Sequence, residues 1–205
     1  MAKKKSASSK RWLEEHFSDP YVQRAQREGY RSRSVYKLIE LQERDKLFRP
    51  GMTVIDLGAA PGGWSQLVAS CVGKKGHVFA LDILAMEPIT GVQFIEGDFN
   101  DDAVLAELMA ALDGAEADWV LSDIAPNLSG IDSVDQPRSI ALAELAMDFA
   151  LDVLSPDGGF LVKVFQGEGF DPFLLALRKN FKKVIIRKPK ASRGRSREVY
   201  ILARK

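Results

Sequence analysis

The sequence predicts an α/β protein: a seven-stranded, mostly parallel sheet with helices on both faces and one antiparallel strand at the C-terminal end. Three observations carry this. Short apolar runs rich in Val, Ile, Leu and Phe alternate with segments of helical periodicity, the mark of repeated βα units. A glycine-rich turn at 58–63 separates the first apolar run from the helix that follows it. The last two runs are joined by "KASRGRS", seven residues. That is too few for a crossover, so these strands form an antiparallel hairpin.

Residues 1–30 read as a basic N-terminal arm, partly disordered, with 1–18 the loosest part; the folded domain is expected over 31–205. Residues 33–47, "RSVYKLIELQERDKL", place Val35, Leu38, Ile39 and Leu47 among polar residues behind Ser32 and Ser34, which suits a capped helix. "MTVIDLG" (52–58) is the first strand, followed by the glycine turn and a helix to about residue 71. "HVFALDI" (77–83) and "VQFIEGDF" (92–99) are the second and third strands. A helix at about 101–112 precedes the fourth strand, "DWVLSDIAP" (118–126). A long helix over 137–153 shows an apolar Ile140/Leu142/Leu145/Phe149 face. Ser155-Pro156-Asp157-Gly158-Gly159 is a turn signal, and "FLVKVF" after it reads as a strand buried on both faces. A helix at about 171–180 leads to the closing strands, 182–189 and 197–204. This Rossmann-like layout with a reversed strand is that of the class I S-adenosylmethionine-dependent methyltransferases.

Charge is unevenly spread. Residues 1–50 carry 13 Lys/Arg and 7 Asp/Glu, residues 51–181 carry 6 and 20, and residues 182–205 carry 10 and 1. Two basic ends around an acidic middle form, if they meet, the footprint of a polyanion partner. No apolar run reaches the length of a membrane helix, and the basic start lacks the apolar stretch of a secretory signal. Cys71 is the single cysteine, which excludes an internal disulfide and fits a reducing cytoplasm. With only His16 and His77 beside it, a protein-held metal site is not expected.

In "DLGAAPGGWS" the phosphate-loop lysine is missing, because Trp64 follows Gly62 and Gly63. Ala60 stands where a dinucleotide site wants its middle glycine. S-Adenosylmethionine, with a cationic sulfur, suits the acidic residues that end successive strands: Asp56, Asp82, Asp98 and Asp123. Asp82 is placed for ribose hydroxyls, and Asp98 for an adenine amine.

The target follows from what is absent and what is out of place. After strand four the chain reads Asp123-Ile124-Ala125-Pro126-Asn127, with no aromatic to stack on a base, which disfavours base-amine methylation. Cys71, on a helix, is misplaced as a nucleophile for cytosine C5. Lys163, in contrast, is an ammonium inside a buried strand. Asp123 should be its neighbour, Glu198 opens the last strand, and Lys37 lies on the first helix. An alcohol attacking a methyl sulfonium must lose its proton, and a lysine is a competent base only when neutral. Burial and a second cation favour the neutral form, while the two carboxylates oppose it.

The set Lys37, Asp123, Lys163 and Glu198 resembles the K-D-K-E tetrad of RNA ribose 2′-O-methyltransferases. "SRSVYKL", "DLGAAPGGWSQ", "SDIAPNLSG", "LVKVFQG" and "SREVYILA" closely resemble the corresponding blocks of the FtsJ/RrmJ family, and the resemblance covers nearly the whole chain from about residue 11. It implies methylation of a uridine ribose 2′-hydroxyl in the A-loop of 23S rRNA on the 50S subunit, with Lys163 as proton acceptor; a cytoplasmic protein is expected, and a monomer because the sequence shows no exposed apolar stripe. It implies S-adenosylmethionine as cofactor, with contacts at Gly62, Trp64, Asp82, Asp98 and Asp123. Asp56, Gly58, Pro61 and Gly63 complete the expected cofactor site. Arg31, Arg33, Arg193, Arg195 and Arg197 flank the tetrad in sequence and are expected to bring RNA phosphates to it. Relatives of the family act on tRNA or mRNA caps, and an RNA-binding assembly factor on the same scaffold is a further alternative.

Overall fold

The computed structural model describes residues 18–126, 132–194 and 196–205, so the expected looseness of residues 1–17, and positions Asn127 and Arg195, lie outside the described residues. In chain order the elements are helices α1 (Pro20–Glu28) and α2 (Val35–Asp45), strand β1 (Thr53–Leu57), and helix α3 (Gly63–Val72). Strands β2 (His77–Asp82) and β3 (Val92–Glu96), helix α4 (Asp102–Leu112) and strand β4 (Ala117–Ser122) follow. The chain continues through helix α5 (Asp132–Val153), strand β5 (Leu154–Phe165), helix α6 (Phe170–Asn180) and strands β6 (Lys183–Arg187) and β7 (Glu198–Arg204).

The seven strands lie in the order β3-β2-β1-β4-β5-β7-β6. Strands β1 to β5 pair in parallel, and β7 runs antiparallel to both β5 and β6. The hairpin expected from the short loop is present, and its second strand wedges between β5 and β6. Strand order reverses between β1 and β4, which opens a crevice beyond their carboxyl ends.

Alternation along the strands divides the core into two layers, since successive side chains point to opposite faces. Val120, Phe160, Val162, Val164, Ile201 and Ala203 pack toward α4, α5 and α6. Leu121, Leu161, Tyr200 and Leu202 pack toward α1, α2 and α3. Burial at this density is worth roughly 1.5–3 kcal/mol per large aliphatic side chain. Lys163 is two residues after Leu161 and pairs directly with Tyr200. It therefore belongs to the face that carries the N-terminal helices. Among the described residues no helix is long and apolar enough to cross a membrane.

Three local features differ from the sequence reading. Residues 20–28, assigned to the arm, form α1, which starts with Asp19 capping the Tyr21 amide and Pro20 in the first turn, and which buries Val22 and Ala25. The turn signal at 155–159 does not end an element. It is a bulge within β5: Leu154 pairs with Ala117 and Gly159 with Trp119, so four residues face one. Gly159 is needed because a Cβ there would stand 2.5 Å from the Trp119 ring. Helix α5 begins at Asp132, so Pro137 lies inside it, and small Ala143, Ala146 and Ala150 are buried with Ile140 and Phe149, while Leu142 and Leu145 stay half-buried. Small residues let the helix approach the sheet closely.

Candidate functional site

The carboxyl ends of β1 to β4 frame a cavity of about 380 Å³, lined in part by Gly58, Asp82, Asp98, Asp123 and apolar Leu84 and Phe99. Asp82 and Asp98 are held by hydrogen bonds from nearby turns. Asp82 at the end of β2 accepts from the amides of Ala60 (2.9 Å) and Leu84 (2.8 Å). Asp98, just past β3, accepts from the Asn100 amide and side chain, and these bonds hold it below the usual carboxylate range. Gly58 has a φ of +76°, and a Cβ there would meet Ile124 at 2.8 Å. The glycine thus lets the first turn lie directly against the chain leaving β4.

The chemistry of this donor set is informative. Among the described residues, three carboxylates and no Lys or Arg line the cavity, and Ile83 and Leu84 expose 56% and 63% of their surface beside Asp82. Such a site repels phosphates, and it fits a cationic ligand with hydroxyl or amine donors and a flat apolar part.

Asp123 joins the cavity to a second, buried cluster. The Lys163 ammonium donates to the Asp123 main-chain carbonyl (2.6 Å) and lies 3.0 Å from its Oδ1. The Tyr200 hydroxyl donates to the same Oδ1 at 3.1 Å. Lys37, on α2, pairs with Glu198 Oε1 at 2.6 Å and sits 5.6 Å from the centre of the Tyr200 ring. The Ser192 hydroxyl also donates to Glu198 Oε1, at 3.0 Å. Lys163 and Glu198 are each 8% exposed and Tyr200 is fully buried. Burial first, then the charges of Asp123 and Glu198, pushes the Tyr200 phenol well above its ordinary value. The four tetrad residues expected from sequence are therefore brought together as two ion pairs with a phenol between them.

Other expected site residues lie elsewhere. Asp56 is fully buried in β1, takes the Ser65 hydroxyl on Oδ2 (2.6 Å), and leaves Oδ1 with no partner; burial pushes it up to about 7. Trp64 is buried among the N-terminal helices, where its indole donates to Ser34 O (3.0 Å) and its ring stands 5.7 Å from that of Tyr200. Gly63 packs against Ser32. Ser34 occupies the cap position of α2, but its hydroxyl bonds Ser32 Oγ rather than the helix. Gly62 (φ +102°) and Pro61 form the turn beside the loop after β2.

The arginines are largely engaged within the protein. Arg31 donates to the carbonyls of Pro61, Glu87 and Pro88. Arg33 donates to Ala191 O (2.7 Å) and lies 3.1 Å from Asp19, which is 3.7 Å from Arg193. Arg197 is exposed, and its carbonyl accepts from Gln166. Tyr200, Ser192 and Ser65 went unnoticed in the sequence. For Tyr200 a signal existed: it follows Glu198 by two residues in a strand, hence on the same face.

Comparison with known proteins gives one answer at several levels. A family model described as FtsJ-like methyltransferase matches residues 30–205. The chain is 60% identical over 202 residues to Ribosomal RNA large subunit methyltransferase E of Alkalilimnicola ehrlichii, covering 98% of this chain and 97% of that protein. A crystal structure described as a ribosomal RNA methyltransferase of Plasmodium falciparum superposes with a TM-score of 0.78 at 28% identity, covering 86% of this chain and 98% of that one. A second, described as an rRNA methylase of Clostridium thermocellum, shares the fold with a TM-score of 0.54 at 18% identity, covering 82% of this chain and 97% of that one.

Proposed function

The chain belongs to the FtsJ-like methyltransferase family, and on that premise we propose that it transfers a methyl group from S-adenosylmethionine to the ribose 2′-hydroxyl of a uridine in the A-loop of 23S rRNA, on the assembled 50S subunit in the cytoplasm. The name of the 60% identical relative supports the large-subunit rRNA as substrate. The observation that carries the chemistry is the buried Lys163, fixed 3.0 Å from Asp123 where the cavity meets the tetrad.

S-Adenosylmethionine supplies an electrophilic methyl on a sulfonium, and Asp82, Asp98 and Asp123 would hold its hydroxyls and amines. The chain's own part is to place and deprotonate the alcohol. When neutral, Lys163 would accept the 2′-hydroxyl proton at Nζ, so that the charge lost from the sulfonium as its methyl–sulfur bond breaks is balanced by the new ammonium. Asp123 stabilises that charge and orients the amine through its carboxylate and carbonyl. Lys37, paired with Glu198, places a second cation beside the attacking oxygen's site. A methyltransferase domain over 31–205, on which α1 packs, and a monomeric state are parts of the same reading.

The test uses purified protein, tritiated S-adenosylmethionine and large subunits from a strain lacking the gene, followed by mass spectrometry of the digested rRNA. A methyl on a ribose 2′-oxygen in the A-loop is the expected result. Transfer only to tRNA or capped RNA would overturn the substrate while keeping the tetrad chemistry. Subunit binding without any transfer would favour an assembly factor.

A further inference from the structure

We infer that Arg31 is a positioning residue for the cofactor cavity, fastening the loop after β2 to the glycine turn, rather than a phosphate contact for RNA. The inference rests on the S-adenosylmethionine reading of that cavity.

A guanidinium has five N–H donors in a rigid fork, and in Arg31 at least three are committed. Nη1 donates to Glu87 O (2.5 Å) and Pro61 O (3.3 Å), and Nη2 to Pro88 O (2.8 Å). Bonds from a charged donor are worth about twice those between neutral groups. The arginine is itself seated on α3, because its amide donates to Gln66 Oε1 (2.9 Å) and the same side chain reaches Gly29 O. One side chain thus ties the segment before α2, the glycine turn and the loop after β2 together.

That loop has little else to hold it. Residues 83–85, 87 and 88 are exposed, and a second cavity of about 580 Å³ opens between Arg31, Pro61 and residues 85–88. Yet Ile83 and Leu84, directly upstream, form a wall of the cofactor cavity, and the Leu84 amide orients Asp82. The glycine turn lies against the same loop: a Cβ on Gly62 would stand 2.6 Å from Ile89 and 2.9 Å from Met86. With packing sparse, the position of the cavity wall depends on the three carbonyl bonds to Arg31. Lysine keeps the charge but loses the fork, so it cannot replace the arginine here.

Full-length wild type, Arg31→Lys and Arg31→Ala are titrated calorimetrically with S-adenosylhomocysteine, with melting midpoints and the salt dependence of RNA binding measured alongside. Both variants are expected to bind the nucleoside about 10-fold or more weakly while the salt slope of RNA binding stays that of wild type. Single-turnover transfer should recover toward wild type at saturating S-adenosylmethionine. Gln66→Ala, which frees the anchor of the arginine, should weaken binding in the same direction and keeps the test open if Arg31→Ala does not fold. Nucleoside affinity within twofold of wild type in folded Arg31→Lys, or a salt slope lowered by about one in Arg31→Ala, would overturn the inference. Failure of the wild type to bind S-adenosylhomocysteine would instead overturn the cofactor reading beneath it.

Discussion

The cavity rim and the tetrad are two charged regions that share Asp123, and they are built in opposite ways. At the rim, Asp82 and Asp98 are satisfied by three backbone amides and the Asn100 side chain, three of the four donors lying only two residues away, and Asp98 is exposed. In the tetrad, charges are buried or half-buried and paired over long distances: Lys37 with Glu198, Lys163 with Asp123. Local turns leave carboxylates free to receive a ligand's donors. Long-range pairs leave cations fixed in place beside the cavity. The roles proposed for them, binding at the rim and chemistry in the tetrad, follow that difference.

That contrast can be broken most sharply at Lys163. Lys163→Ala should lower methyl transfer about 1,000-fold, within the range for a general base, while S-adenosylhomocysteine affinity changes less than twofold by calorimetry. A comparable loss of nucleoside affinity would show that the two regions are not separate. The converse variant is Asp82→Ala. It should weaken nucleoside binding about 100-fold, from the loss of charged hydrogen bonds and of the Ala60 and Leu84 contacts, with transfer recovering at saturating cofactor.

Asp56 sharpens the comparison, since it is a carboxylate of neither kind: buried, but paired with no cation. Its folded-state value of about 7 stands above the ordinary 3.8. The folded protein therefore holds a proton that the unfolded chain has lost, and stability from this group declines as pH rises from about 4 to about 7. Asp56→Asn mimics the neutral form. It should match wild type near pH 4 and gain about 4 kcal/mol at pH 8, read from denaturant unfolding at both values; parallel pH profiles would remove Asp56 as the cause. The smallest effect is expected at Tyr200→Phe. Losing one hydrogen bond to Asp123 should cost about 1 kcal/mol, read as roughly a fivefold fall in kcat with KM for the nucleoside unchanged.

Much of this was legible without coordinates. The strands, the closing hairpin and the carboxylates at strand ends follow from period-two apolar runs and turn residues, which act over a few neighbours. Lys163 was conspicuous because an ammonium within Leu161, Val162, Val164 and Phe165 contradicts its surroundings. Helix α1 carried a readable start in Asp19-Pro20, outweighed by the polarity of its exposed face. The bulge at 155–158 was not legible, because its residues form a turn by propensity, and only pairing with β4 on both sides keeps the strand continuous.

The sequence by itself determined the alternation of strands and helices, the acidic rim and the identity of the four tetrad residues. Tertiary structure alone decided what Arg31 and Arg33 bond. Arg31 and Arg33 looked like phosphate ligands, and they bond carbonyls 57 and 158 positions away. Every residue carries a main-chain carbonyl, so such an acceptor leaves no mark in the sequence. Which arginine meets one is settled only when the loops are brought to it.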